Sequence, residues 1–324
     1  EAMSDLIKIN SLEVEFHVHG QIVKAVKGVS FRIPAKKTVA LVGESGSGKS
    51  VIARSIMGIL PKSARITAGE IMFNDPGGDG TVIDLASVPV DGAQMRQIRG
   101  GRISIIFQEP MASLSQLHTV GDQISEALHL HRDISASAGL EVVETMLRTA
   151  GFPDPRKAMK SYPFELSGGL NQRAMIAMAL VCQPALLIAD EPTTALDVSI
   201  QAVILKLIRD MQAELGMAVL MITHDLGIVA NVADEVVVLY HGKLMESGPV
   251  EDIFQKPEHP YLQALLGAIL HFDMKLDIEG LKIRTGLHHL QTTRVVPRKD
   301  LKVQRNDVTE RCIVFWDSMD RSVC

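Results

Sequence analysis

A chain of 324 residues with 46% hydrophobic and 22% charged residues can bury one large core or two modest ones, and its net charge of −5 argues against a nucleic-acid binder. Its three cysteines, Cys182, Cys312 and Cys324, form no CxxC pair, so a disulfide framework is not expected and a reducing compartment is. The opening EAMSDLIKIN lacks the basic start and apolar run of a signal peptide, and Met3 reads as the native start. The longest apolar stretch, 174–189, is broken by Gln183-Pro184 and is shorter than the ~20 residues of a membrane span.

Period-two alternation in LIKINSLEVEF and IVKAVKGVSFRI predicts antiparallel strands over the first forty residues. TVALVG is a short apolar run ending in glycine, the pattern of a buried strand that feeds a loop. A helix is expected from Lys49 to about Gly58. The Gly-, Pro- and Asp-rich stretch 74–92 reads as turns around a short strand, and RISIIFQ as a further buried strand. Helical spacing runs over 120–149, and a further helix opens at Ser167. ALLIADEP and AVLMITHD read as strands on either side of a helix at 199–215, EVVVLYHGKLMESG as strand, turn and strand, and PYLQALLGAIL as a last helix. Strands alternating with helices after a Gly-rich turn predict an α/β domain with a mainly parallel sheet.

Gly43-Glu44-Ser45-Gly46-Ser47-Gly48-Lys49-Ser50 matches G-x-x-x-x-G-K-[ST] throughout. Its glycines let backbone N–H groups turn inward onto phosphate oxygens, and the following helix presents its N-terminus to the anion. Lys49 supplies a charge for the β and γ phosphates, and the Ser50 hydroxyl a ligand for Mg²⁺. A kinase, GTPase, motor or transport ATPase would all use such a loop, but the guanine-reading N-K-x-D pattern is absent.

ALLIAD ends in Asp190, where a carboxylate at the tip of a parallel strand can hold the Mg²⁺ hydration shell. Glu191 follows and faces the other way if the strand continues, so it can orient or deprotonate a water in line with the γ phosphate. Between loop and acids lies ELSGGLNQR, where Ser167-Gly168-Gly169 open a helix and form a second anion-binding terminus, or a plain N-cap with flexible glycines. One γ phosphate needs one such terminus. Two chains facing each other use both, each offering its Ser167 end to the nucleotide on the other's loop.

GESGSGKS, FQEP, LSGGLNQR, ALLIADEP, TTALD and ITHD occur in one order, and the set resembles the ATP-binding subunits of ABC transporters over about Leu6 to Leu270. The resemblance implies a P-loop NTPase core with a mainly parallel sheet, an N-terminal antiparallel β subdomain and a helical subdomain at roughly 110–170, together spanning 4–270. It implies ATP and Mg²⁺ as ligands. It makes Phe16 the adenine-stacking aromatic, with core packing as the equal alternative. Gln108 becomes the residue that senses Mg²⁺ and the γ phosphate and links to the membrane partner, or else a solvated strand end. Ser167, Gly168 and Gly169 close over ATP from the opposite subunit. Asp197 touches that subunit, caps the next helix, or does both. His224 contacts the γ phosphate, unless it is structural.

The fuller wording VGESGSGKS, FQEPMASL, YPFELSGG, QRAMIAMAL, DEPTTALDVSIQ, THDLGIVA and HPYLQALL resembles the oligopeptide, dipeptide and nickel importer branch. That implies an ATPase on the cytoplasmic face of the cell membrane, under two permease subunits fed by an external solute-binding protein, paired with itself or a related ATP-binding subunit. Leu170, Asn171 and Gln116 depart from the branch's usual residues. Residues 271–324 form a C-terminal extension without an assigned role. Members that carry an iron–sulfur cluster need about four cysteine ligands, and only Cys312 and Cys324 stand in this tail, so no cluster is expected. The competing reading is a soluble ABC-type ATPase acting on nucleic acid or ribosomes; the absence of sustained heptads between loop and signature weighs against it.

Overall fold

The computed structural model describes residues 5–18, 20–108, 113–193 and 197–273. The tail beyond 273, with Cys312, Cys324 and the cluster expectation, lies outside the described residues.

Strands β1 (Asp5–Val18), β2 (Gln21–Pro34), β4 (Ala64–Asn74) and β5 (Val82–Asp84) form an antiparallel sheet in the order β2-β1-β4-β5. Strands β3 (Thr38–Val42), β6 (Ile103–Ile106), β7 (Leu186–Asp190), β8 (Ala218–Thr223), β9 (Glu235–Tyr240) and β10 (Lys243–Pro249) form the second sheet. Its order is β10-β9-β3-β8-β7-β6, parallel except for the β9–β10 hairpin.

The apolar runs noted in the sequence are strands buried on both faces, and their alternation shows it. Val39 and Leu41 of β3 enter one core with Leu186 and Ile188 of β7, Leu220 and Ile222 of β8, and Leu239 of β9. That core continues into the antiparallel sheet through Ile7, Ile9 and Phe73, with α1 (Lys49–Ile56) between the layers through Ile52 and Ile56. On the opposite face, Leu187, Ala189, Val219 and Met221 enter a second core. Ala40, Val42, Val236 and Val238 enter a third, closed by α8 (Leu226–Val232), α9 (Val250–Gln255) and α10 (Pro260–Asp273). A fully buried Val, Leu or Ile contributes about 1.5–3 kcal/mol, so strands with no solvent face are the natural use of these runs.

The second core is also that of the helical subdomain. It joins α3 (Val120–His129), α4 (Ala136–Thr149) and α5 (Pro155–Lys160) to α6 (Gly168–Leu180) and α7 (Val198–Leu215). The helical pattern over 120–149 is therefore two helices. Ser135 restarts the second by accepting from the Ala138 N–H at 3.3 Å, and Arg132 pins the break to the Cys182 carbonyl at 3.0 Å. The short α2 (Ala93–Ile98) joins the first core through Met95 and Ile98. The last helix runs past the expected domain end at 270.

Candidate phosphate and hydrolysis site

β3, a central strand, delivers the chain to Gly43 at its C-terminal end, and α1 starts at Lys49. Between them the glycines are sterically required. A Cβ on Gly43 would lie 2.2 Å from the Leu239 carbonyl oxygen and 2.7 Å from Ser47 Oγ. Gly48, the N-cap of α1, has φ 101° and no room beside the Ala25 carbonyl. Lys49 is 6% exposed, and its Nζ donates to the carbonyls of Gly43 at 2.7 Å and Glu44 at 2.8 Å. Burial lowers the pKa of this ammonium, opposed by the charges of Glu191, Asp190 and Glu44.

The acid pair converges on the same loop. Ser50 Oγ donates to Asp190 Oδ1 at 3.1 Å. Burial pushes the Asp190 carboxyl above its ordinary range and Glu191 adds to this, while Ser50, Arg54 and Lys49 oppose it. Glu191 does not reach the site by strand alternation, as the sequence suggested. β7 stops at Asp190, Glu191 takes φ 50°, and its N–H donates to the Ile222 carbonyl of β8 at 2.9 Å. A left-handed glutamate is uncommon and strained, and here it aims the carboxylate at two other candidates. Glu191 Oε1 lies 3.2 Å from His224 Nδ1, and Oε2 accepts from Gln108 Nε2 at 3.2 Å. His224 follows β8, directly before Asp225, which caps α8 by accepting from Gly227 N and Ile228 N.

Glu44, Ser45, Gly46, Gly48, Lys49, Ser50, Gln108, Asp190, Glu191 and His224 thus line one cleft of about 590 Å³. Its charge is informative. Three carboxylates face one lysine, so a bare polyphosphate meets repulsion that a divalent cation offsets. The backbone cradle, the buried ammonium and the Ser50–Asp190 oxygens fit a magnesium nucleotide.

The other expected residues lie elsewhere. Ser167 and Gly169 line a separate cavity of about 400 Å³ with Arg173, Ile200 and Val203, sharing no residue with the phosphate cleft. Ser167 is the N-cap of α6 and accepts from Leu170 N at 3.4 Å, while nothing stands within 4 Å of a Cβ on Gly168. Asp197 is exposed at the N-cap position of α7, and its side chain makes no capping hydrogen bond. Phe16 is half-buried against the first core and does not line the phosphate cleft, so packing accounts for its surroundings in this chain alone.

Some supports were not visible in the sequence. Gln172, 1% exposed, donates to the Pro192 carbonyl at 2.6 Å and ties α6 to the turn after Glu191. Asn171, one of the departures from the branch pattern, is also 1% exposed. It donates to the Pro163 carbonyl at 2.9 Å and fixes the turn before Ser167. The turn after β9 supports the phosphate loop, with the Gly242 N–H donating to the Ser47 carbonyl at 3.1 Å.

A family model described as "ABC transporter" matches residues 26–194. The dipeptide transport ATP-binding protein DppD of Bacillus subtilis is 48% identical over 87% of this chain and 80% of its own length. A putative peptide import ATP-binding protein of Brucella ovis is 50% identical over 81% of this chain and 76% of its own. The glutathione import ATP-binding protein GsiA of Salmonella typhimurium is 48% identical over 82% of this chain, which spans 42% of that longer protein. Among solved structures, the dimeric ATP-binding cassette MJ0796 bound to ADP and Pi superposes with a TM-score of 0.64 at 25% identity, covering 75% of this chain and 98% of that one. CbiO1 of Clostridium perfringens, part of an ABC transporter complex, gives 0.65 at 26% identity over 84% and 96%.

Proposed function

The chain belongs to the ABC transporter family, and from that premise we propose that it is the ATP-hydrolysing subunit of a peptide-type importer. The observation that carries the chemistry is the meeting of Lys49, Ser50, Gln108, Asp190, Glu191 and His224 in one cleft, drawn from the ends of the four strands β3, β6, β7 and β8. Peptides are the cargo that the relatives' names favour, with glutathione, itself a small peptide, among them.

In this reading the loop amides and Lys49 bind and orient the triphosphate, and the chain of Glu191, Gln108 and His224 positions the attacking water. Glu191 takes or directs the water proton, and Lys49 and His224 offset charge on the γ phosphate. Ser50, Asp190 and Gln108 would hold Mg²⁺, which neutralises phosphate charge when bound. Ser167, Gly168, Gly169 and Asp197 do not line their own chain's phosphate cleft, which supports a role in closure over the nucleotide of a second ATP-binding subunit. Differential affinity for ATP over its products then drives opening and closing.

Coupling has a physical route. A larger groove of about 730 Å³ shares Ser50, Gln108 and Asp190 with the phosphate cleft and extends to Phe107, Leu130 and Met175 beside the helical subdomain. That groove suits a loop of a permease subunit. Among the described residues no helix is long and apolar enough to cross a membrane, which fits a peripheral position on the cytoplasmic face. The test is mass spectrometry of what co-purifies with the Glu191→Gln form from native membranes in Mg-ATP. Two polytopic permease subunits are expected; ribosomal or DNA-bound partners without a permease would overturn the importer reading.

A further inference from the structure

The Tyr261 hydroxyl is buried with no partner at full hydrogen-bond geometry, although the backbone and carboxylate of Glu44 stand close enough to act on it, and a buried donor left short of a good bond is costly enough to need a reason. Its position is well fixed. Glu246 of β10 accepts from Glu258 N at 3.1 Å and His259 N at 2.9 Å, and the Tyr261 N–H donates to His259 Nδ1 at 3.1 Å. These bonds anchor the start of α10. The Tyr261 ring packs at the edge of the third core, 4.3 Å from the Tyr240 ring between centroids.

Tyr240 closes β9, and the turn that follows carries the phosphate loop through the Gly242–Ser47 hydrogen bond. The Leu239 carbonyl occupies the space that a side chain at Gly43 would need. Tyr261 therefore stands behind the loop, next to its one acidic side chain. Burial, and after it the Glu44 carboxylate, pushes the phenol up to about 12, so it is a protonated donor at any working pH. Glu44 is exposed and lines the phosphate cleft. A polyphosphate entering that cleft repels the Glu44 carboxylate, and a neutral buried donor behind the loop is the group that can receive it.

We infer that Tyr261 is a positioning residue of the phosphate loop, whose hydroxyl donates to Glu44 once the triphosphate is bound, so that α10 tunes nucleotide affinity from behind the cleft. This rests on the loop binding ATP. The experiment measures Mg-ATP affinity by calorimetry, steady-state turnover and thermal melting on the full chain. It compares wild type with Tyr261→Phe, Glu44→Ala and the double variant. Tyr261→Phe is expected to melt at or above the wild-type temperature while Kd and KM for ATP rise ~3- to 10-fold and kcat holds, the signature of a lost binding contact. In the Glu44→Ala background the same change is expected to have no effect on Kd. An unchanged Kd in Tyr261→Phe, an equal loss with and without Glu44, or a parallel fall of kcat and melting temperature overturns the inference. Failure of wild type itself to bind Mg-ATP would overturn the ATP reading as well, and is told apart from the other outcomes by that control.

Discussion

Replacing Glu191 with glutamine changes one atom in a site that is otherwise kept. The shape is conserved, and the amide oxygen can still accept from Gln108 Nε2, which now lies 3.2 Å from Oε2. The contact at 3.2 Å to His224 Nδ1 is the one that changes character. As a structural matter the loss is small, because a hydrogen bond at such a half-open site is worth about 0.5–1.5 kcal/mol. As a proton acceptor the loss is large. Removing a positioned general base slows turnover by ~10²–10⁴. At about 1.4 kcal/mol per factor of ten, that is roughly 3–5 kcal/mol of barrier, beyond what the lost contact supplies. The assay is phosphate release at saturating Mg-ATP, with ATP affinity by calorimetry and melting temperature on the same preparations. Affinity and melting are expected to stay near wild type while turnover collapses. Turnover within threefold of wild type, or a fall matched by lost binding, refutes the assignment of Glu191.

Three further perturbations probe the frame around it. Gly43→Ala places a methyl group against the Leu239 carbonyl and Ser47 Oγ, so it should cost about 1–3 kcal/mol in denaturant unfolding and weaken ATP binding at least ~10-fold. Asp190→Asn should separate stability from activity: burial raises the Asp190 pKa, so its contribution to stability falls as pH rises through the window from the ordinary carboxylate range to that raised pKa. At neutral pH the nucleotide-free variant should melt at or above wild type, the gap should close in acid below that window, and turnover should drop ~10²-fold or more. Asn171→Ala leaves the Pro163 carbonyl without its buried donor, so urea unfolding should show about 1–3 kcal/mol of destabilisation, with a smaller change in ATP affinity at the Lys49 cleft.

Much of this architecture was legible in the chain because the relevant signals are local. β3, β7 and β8 read as strands since each is a short run buried on both faces and apolar but for one end residue, Thr38, Asp190 and Thr223 respectively. The phosphate loop was legible because its glycines answer to close backbone approaches at Leu239 and Ala25. Glu191 was expected beside the phosphate loop by an alternation that does not occur, because a left-handed residue held by Ile222 is a tertiary effect with no sequence period. The break between α3 and α4 was missed because 130–135 keeps enough apolar residues to sustain a helical pattern. Asn171, Gln172 and Tyr261 support the site through contacts with Pro163, Pro192 and the β9 turn, separations that no local pattern encodes.

Closure of two subunits requires Ser167 and its glycines to serve a nucleotide held by another chain. A photo-crosslinking amino acid at Gly168, where a side chain meets open space, tests this in the complex isolated from native membranes. With Mg-ATP and the Glu191→Gln background, mass spectrometry should find the adduct on the phosphate loop of a second polypeptide, distinguished by isotope labelling, and should find none without ATP. An adduct to residues of the same chain, or one that forms equally without nucleotide, contradicts closure between two subunits.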